Sequence, residues 1–244
     1  MIRKLAVGFV VAVICGGCAS TATLAPEVAS DLQSGSVAAA FYVEGKKIVY
    51  DELVYKVLWN ENRSQESVFE GSWDVDEDIT ATFSESLSDV GLSAQPVDMV
   101  LLENELAASF EQSILNTRDA NGMNTAMSLD NDVKREFEKA GVDYLILLRA
   151  AHYRVQKVSG FSPQFMLPAM LIVLDVRSGQ QLYMEPFGLG GKIAVEKSPR
   201  EVEADGLAKL KAATHEWVDV AISGRLPKAL GLPPSNVRVA DALN

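Results

Sequence analysis

Ala140-Gly141-Val142-Asp143-Tyr144-Leu145-Ile146-Leu147-Leu148 is the stretch on which the fold turns. Gly141 closes a short helical segment, Asp130–Ala140, and Val142–Leu148 continues as an almost unbroken apolar run. A strand with one wet face alternates apolar and polar residues, whereas a strand covered on both faces does not. Val142–Leu148 is therefore expected to be a strand sandwiched between layers.

The flanks extend this pattern. Val155–Pro163 follows, and Phe165–Val176 is a second long apolar run broken only by Pro168, which predicts an edge or a bulge there. Arg177-Ser178-Gly179-Gln180 is a turn into Gln181–Phe187, so these two runs should pair as a hairpin. Upstream, Ile79, Phe83, Leu87 and Val90 mark one face of a helix that Asp74 or Asp76 can cap and that Gly91 ends. Leu92–Val97 is a short strand candidate, and Asp98 to about Leu115 a helix with Leu102, Leu106, Phe110 and Ile114 on one face. Asn116–Ser128 connects it to Asp130–Ala140. The last helix starts at the capping box Ser198-Pro199-Arg200-Glu201, buries Leu207, Leu210, Trp217, Val218 and Ala221, and ends at Gly224. Val37–Val43 and Ile48–Tyr50, separated by Glu44–Lys47, read as a hairpin, although Tyr50, Leu53, Val54, Val57 and Leu58 also fit one helical face, leaving 37–59 open between the two. Leu53–Trp59 leans to strand, stopped by the polar turn Asn60–Ser64. The expected class is α/β: a mixed sheet of about four to six strands flanked by three or four helices, in the order β-α-β-α-α-β-β-β-α, with an extra amino-terminal hairpin.

The amino terminus carries an address. Arg3 and Lys4 precede the apolar run Leu5–Ile14, and Cys15-Gly16-Gly17-Cys18 follows, the parts of a secretory signal peptide with small residues before the cut. The run is too short for the roughly 20 apolar residues of a spanning helix. The arrangement resembles the lipobox of bacterial lipoproteins, with Cys15 where that family usually has Leu. The resemblance implies cleavage after Gly17, lipid on Cys18 and, because Ala19 rather than Asp follows, sorting to the outer membrane. The expected organisation is a signal peptide over 1–17, a tether over 18–36 rich in Ala, Ser and Thr, one body over 37–226, and a Pro-bearing tail over 227–244.

Composition narrows the partners. The chain has 244 residues with 22 basic and 33 acidic, and loss of Arg3 and Lys4 with the leader takes the formal charge from −11 to −13. Nucleic acid is not expected, since phosphate binding rests on clustered Lys and Arg. An acidic body also gains nothing from anionic lipid, so membrane attachment would fall to the acyl chains. Of the two cysteines one leaves with the leader and the other takes lipid, so no disulfide or cysteine metal site is expected.

The candidate chemical motifs fare poorly. Asp74-Val75-Asp76-Glu77-Asp78 with Glu85 copies the acidic spacing of a calcium loop, but Ile79 stands where the sharp turn needs Gly, and acids in a first helical turn complement the dipole. Gly188-Leu189-Gly190-Gly191-Lys192 lacks both the following Ser or Thr and the upstream spacing of a phosphate loop, and reads as a turn or bulge. His215 is expected on the solvated face of the last helix and His152 in a structural role beside the central strand. No nucleophile elbow is present, so neither catalysis, a cofactor nor a metal is expected. Phe161, Phe165 and Met166 read mainly as core; if Ser159–Leu167 projects from the sheet, they become an apolar contact patch for a partner.

Three segments together resemble a known group. Tyr55–Asn62 followed by the helix at Ile79–Val90, Ala140–Leu145 as a small-Gly-x-Asp-Tyr-Leu entry, and Leu174–Gly179 as an Asp-x-x-Ser-Gly turn are similar to the periplasmic domains of the TolB amino-terminal part, the lipoprotein activators of penicillin-binding proteins, and the curli and Pel export lipoproteins. The resemblance spans about residues 53–224, and Val37–Tyr50 is an addition to it. It implies a periplasm-facing, non-catalytic module that binds another envelope protein or itself. It also admits a subunit of an oligomeric export channel, for which Val37–Trp59 or Val155–Leu174 would have to supply membrane-crossing hairpins. An envelope hydrolase is the least favoured of the three.

Overall fold

The computed structural model describes residues 24–44, 47–57, 60–69, 73–101, 104–117, 125–158, 164–187, 189–192 and 203–232. Five helices, α1 (Pro26–Ser34), α2 (Val75–Asp89), α3 (Asn104–Leu115), α4 (Asn131–Lys139) and α5 (Ala208–Ala229), accompany ten strands. The strands are β1 (Ser36–Val43), β2 (Ile48–Val57), β3 (Asn60–Phe69), β4 (Ser93–Pro96), β5 (Tyr144–Ala150), β6 (Tyr153–Val158), β7 (Gln164–Leu167), β8 (Ala169–Asp175), β9 (Gln180–Pro186) and β10 (Leu189–Lys192). The fold is mixed α/β, as expected, but its strands form two five-stranded sheets. Sheet A has the order β4-β1-β5-β8-β9 and sheet B the order β10-β7-β6-β2-β3.

The two orders follow from five places where the chain leaves one sheet and enters the other. β1 passes to β2, β3 to β4 through α2, β5 to β6, β7 to β8 across Pro168, and β9 to β10. Pro168 lacks the N–H a continuous ladder would need, while its carbonyl accepts from Ala151 N at 3.0 Å. The expected interruption in Phe165–Val176 is thus a change of sheet. The same rule revises the amino-terminal hairpin: Val37–Val43 and Ile48–Tyr50 are both strands, but β1 runs parallel to β4 and β5 while β2 pairs with β6 and β3. β1 is an inner strand of sheet A. Asn60–Ser64, read as a turn, opens β3, which pairs antiparallel with β2.

Sheet A divides the core in two. Val37, Ala39, Phe41 and Val43 of β1, with Ile146 and Leu148 of β5 and Leu171 and Val173 of β8, face α1, α2 and α5. Ala38, Ala40 and Tyr42, with Leu145, Leu147, Ile172 and Leu174, face α3 and α4. That double cover explains the unbroken apolar run at 145–148, and each such buried side chain contributes about 1.5–3 kcal/mol.

Helix ends follow the capping signals in four places and depart from them in three. Asp74 accepts from Glu77 N, Asp130 accepts from Asp132 N, and Gly91 and Gly141 adopt positive φ just beyond α2 and α4. Residues 26–34 of the expected tether form α1 instead: Pro26 occupies the first turn, and Ala29 and Leu32 are buried. The helix expected from Asp98 is split into a 3-10 turn, Val97–Met99, and α3. α5 continues through Gly224 to Ala229 with Pro227 inside it. Its stop is Gly231 at φ +67, where Leu232 N reaches Pro227 O at 2.7 Å and Gly231 N reaches Lys228 O at 3.3 Å. Residues 227–232, expected in the tail, thus belong to the end of α5 and its cap, with Leu230 and Leu232 buried. The box Ser198–Glu201 lies outside the described residues.

Candidate functional site

Cys18 and Phe161 lie outside the described residues. The other two contact candidates separate by strand alternation. On β7, Phe165 is fully buried and stacks on Tyr153 at 5.9 Å, whereas Met166 is exposed. The expected patch therefore loses Phe165 to the core. Leu189–Lys192 of the glycine-rich stretch is not a turn but edge strand β10, paired antiparallel with β7.

α2 and α5 meet along a polar seam that sequence reasoning missed. Asp78, Thr82 and Ser86 recur every four residues on α2, and Lys211, His215 and Asp219 do so on α5. His215 Nε2 lies 3.0 Å from Asp78 Oδ2, and its Nδ1 is hydrogen-bonded to Thr82 Oγ1. Trp73 Nε1 donates to the same Asp78 oxygen at 2.7 Å, Ser86 Oγ donates to Asp219 at 3.1 Å, and Lys211 lies over the Trp73 ring. His215 is half-buried between helices, not solvated. Both its ring nitrogens are occupied by neighbours, so the trio Asp78, His215 and Thr82 clips two helices together. The missed signal was the matching four-residue spacing of polar groups on both helices.

Beneath this seam, Tyr153 Oη meets Thr214 Oγ1 at 2.5 Å in the core. Thr214 donates its single hydroxyl proton to Leu210 O at 2.7 Å, so the tyrosine is the donor. Burial pushes the Tyr153 phenol well above its ordinary range.

A third polar group holds the bends. Arg149, at the end of β5 and almost wholly buried, pairs with Glu44 after β1 and with Thr117 after α3. In sheet B, Arg154 pairs with the buried Asp51 at 2.7 Å. A guanidinium at each side of the sheet boundary thus ties neighbouring strands where their ladders change partners.

Two clefts remain. One of about 290 Å³ lies along β1, α2 and α3, floored by Ala40, Tyr42, Phe110 and Ile114 and edged by Asp76, Glu77, Asp98 and Glu111. Two of its polar groups serve the fold: Asp76 accepts from Val43 N at 2.8 Å and Thr80 from Phe41 N at 2.9 Å, completing β1 where β4 has ended. Tyr42 donates to Glu111 at 2.9 Å, and burial followed by that carboxylate raises its phenol pKa. The second cleft, about 370 Å³, is lined by Asp31, Asp143, Tyr144, Asp175 and Arg177. It joins two of the segments singled out in the sequence. Asp143 accepts from Ser36 N at 2.9 Å, tying the start of β1 to that of β5, and Asp175 accepts from Ser178 N at 2.6 Å, closing the turn after β8, so both aspartates serve the starting edge of sheet A. Among the described residues no group of three or more His, Cys, Asp or Glu is placed to hold a metal.

Fold and polar groups together define a mixed α/β protein in which Asp78, His215, Arg149, Asp51, Asp76 and Asp143 secure helices, bends and strand ends. No protein-family model matches the chain, and no curated protein matches it. Similar solved structures include a hypothetical protein from Chlamydia trachomatis, 11% identical, covering 79% of this chain and 95% of its own, with a TM-score of 0.41. A Xanthomonas campestris protein of the DUF330 family is 9% identical over 77% of this chain and 83% of its own, with a TM-score of 0.40. Lipoprotein GNA1162 from Neisseria meningitidis is 12% identical over 73% of this chain and 98% of its own, with a TM-score of 0.34.

Proposed function

We propose that the chain is an outer-membrane lipoprotein, anchored through Cys18 and facing the periplasm, whose α/β body is a non-catalytic interaction or assembly module binding another envelope protein or a second copy. The observation that carries this reading is the leader: Arg3-Lys4, the apolar run Leu5–Ile14 and Gly16-Gly17-Cys18 supply address and anchor within 18 residues. No helix among the described residues is long and apolar enough to cross a membrane, which is consistent with attachment by acyl chains. The structural duties of His215, Asp78, Arg149 and Asp51 favour a module without a catalytic centre.

The export-channel alternative meets one observation on each side. β2 and β3 are each 10 residues long, the length of a membrane-crossing strand. However, Asn60–Ser67 of β3 contains no apolar residue and so offers no lipid-facing face. We therefore keep the module reading.

Radiolabelled palmitate should enter the full-length protein, and Cys18→Ser should abolish labelling and shift the protein out of the membrane fraction. Unchanged fractionation of Cys18→Ser would overturn the anchor. Light scattering on the Ser20–Asn244 form separates a monomer from a ring, and crosslinking in the envelope identifies the partner.

A further inference from the structure

We infer that the cleft along β1, α2 and α3 receives a lysine or arginine side chain from a basic, apolar-flanked segment of a partner envelope protein. The site presupposes the module reading and supplies it with a surface and a partner chemistry. The cleft exists because a strand stops early. β4 pairs with β1 only from Ser93 to Pro96, opposite Ser36 to Ala39, whereas β1 runs on to Val43. After Pro96 the chain turns into the 3-10 segment Val97–Met99 and then α3, so among the described residues no strand flanks Ala40–Val43 on that side. α3 faces the gap with Ala107 and Ala108, whose methyl groups leave about 290 Å³ open. That is below the roughly 300–1,000 Å³ of small-molecule sites and suits one long side chain.

The occupant cannot enter as an added strand, because the edge groups of β1 are taken. Thr80 Oγ1 accepts from Phe41 N at 2.9 Å and donates to Phe41 O at 3.4 Å, and Asp76 accepts from Val43 N at 2.8 Å. Recognition therefore falls to side chains. The floor of Ala40, Tyr42, Phe110 and Ile114 is apolar and suits a methylene stem, while the carboxylates at the rim suit a cationic head. Among the described residues no Lys, Arg or His pairs with Glu77, Asp98 or Glu111. Negative potential converges on the floor itself: beyond burial, the Glu111 hydrogen bond and the charges of Glu111, Asp76 and Glu44 each raise the Tyr42 phenol further. The carboxylates are not grouped to hold a metal ion, so the cation is organic. Met99, 69% exposed and one residue past Asp98, adds an apolar contact that a protein segment would cover and a lone amine would not. The net acidic body also steers a basic partner inward from a distance.

Capped, dye-labelled peptides Gly-Leu-X-Leu-Gly, with X lysine, norleucine or glutamate, test the cleft by fluorescence anisotropy on the full-length lipidated protein in a non-ionic detergent. The lysine peptide should bind about five- to tenfold more tightly than the norleucine one, the scale of two partly exposed ion pairs, and the glutamate peptide most weakly. Glu77→Gln combined with Asp98→Asn should abolish the lysine preference and leave norleucine binding unchanged. Both side chains are exposed and neither is bonded to another described residue, so the variant keeps its fold. Glu203→Gln combined with Asp205→Asn removes the same charge from exposed positions outside the cleft and should leave the preference in place. A missing lysine preference, one that survives Glu77→Gln with Asp98→Asn, or one lost equally in both double variants overturns the site. The module reading then stands or falls separately, on whether crosslinking in the envelope yields an adduct with any protein. Cadaverine binding as tightly as the lysine peptide would overturn the protein partner in favour of a free amine.

Discussion

Sheet A and sheet B are joined strand to strand at four places yet obey different rules. Sheet A is covered on both faces, so adjacent residues of β5, Leu145 to Leu148, are all fully buried. On β6 and β7 of sheet B one face is buried. Along β6 and β7, Tyr153, Val155, Phe165 and Leu167 are buried, while Arg154, Gln156, Gln164 and Met166 point the other way and remain at least partly exposed. The same chain crosses the boundary and changes periodicity as it does so, which shows that the covering layers set the pattern.

The largest expected effect tests the double cover. Leu147→Ala leaves a cavity between β5 and the α3–α4 layer and should cost about 4 kcal/mol, read as a shift of the urea midpoint of the Ser20–Asn244 form. A loss below about 1 kcal/mol would mean that this layer is not packed against sheet A. Next comes the boundary itself. Glu44→Ala leaves the Arg149 guanidinium buried without its carboxylate and should cost about 3 kcal/mol. If Glu44→Ala and Thr117→Val are separately harmless, Arg149 does not hold the bend.

Alkaline pH probes both sheets at once. Tyr42 and Tyr183 in sheet A and Tyr153 in sheet B all have raised phenol pKa values, chiefly through burial. Below their ordinary value of 10.0 these phenols are neutral in both the folded and the unfolded chain, and their contribution is fully present. As pH rises above that value the unfolded chain releases protons that the folded one retains, so stability should fall. Urea midpoints at successive pH values check this, and Tyr153→Phe should flatten the decline. An unchanged slope in Tyr153→Phe would show that this phenol ionises without unfolding the protein.

How much of this was legible depended on whether local chemistry or distant partners decided the outcome. Asp74, Asp130, Gly91 and Gly141 act within one helical turn, and the α2 and α4 ends were readable from them. The apolar run at 142–148 announced its own burial. By contrast, β1 looked like half of a hairpin because Glu44–Lys47 is a good local turn. Its actual partners, β4 and β5, lie about fifty and a hundred residues away. Residues 26–34 looked like a tether because Ala29 and Leu32 make only a thin apolar stripe, and the sheet A core and the end of α5 that bury it lie elsewhere in the sequence. At the other terminus Gly224 looked like a stop, but a glycine ends a helix by adopting positive φ, and Gly231 does so. The α2–α5 seam was missed because each polar stripe alone reads as a solvated face, and only the second helix makes it an interface.

Met166→Ser carries the smallest effect and the sharpest test of the difference between the sheets. Met166 stands between Phe165 and Leu167, both fully buried, so a one-residue slip of β7 would exchange their environments. Its Cα register is fixed on both sides, opposite Arg154 of β6 and Gly190 of β10. A serine there removes apolar surface that already meets water, and the cost should stay within about 0.5 kcal/mol. A loss of about 2 kcal/mol or more, the scale of a filled core site, would require a layer over the outer face of sheet B. Measured on the Ser20–Asn244 form at two protein concentrations, such a loss would also reveal its source. Independence of concentration would place that layer within the chain, and a loss growing with concentration would place it in a second copy.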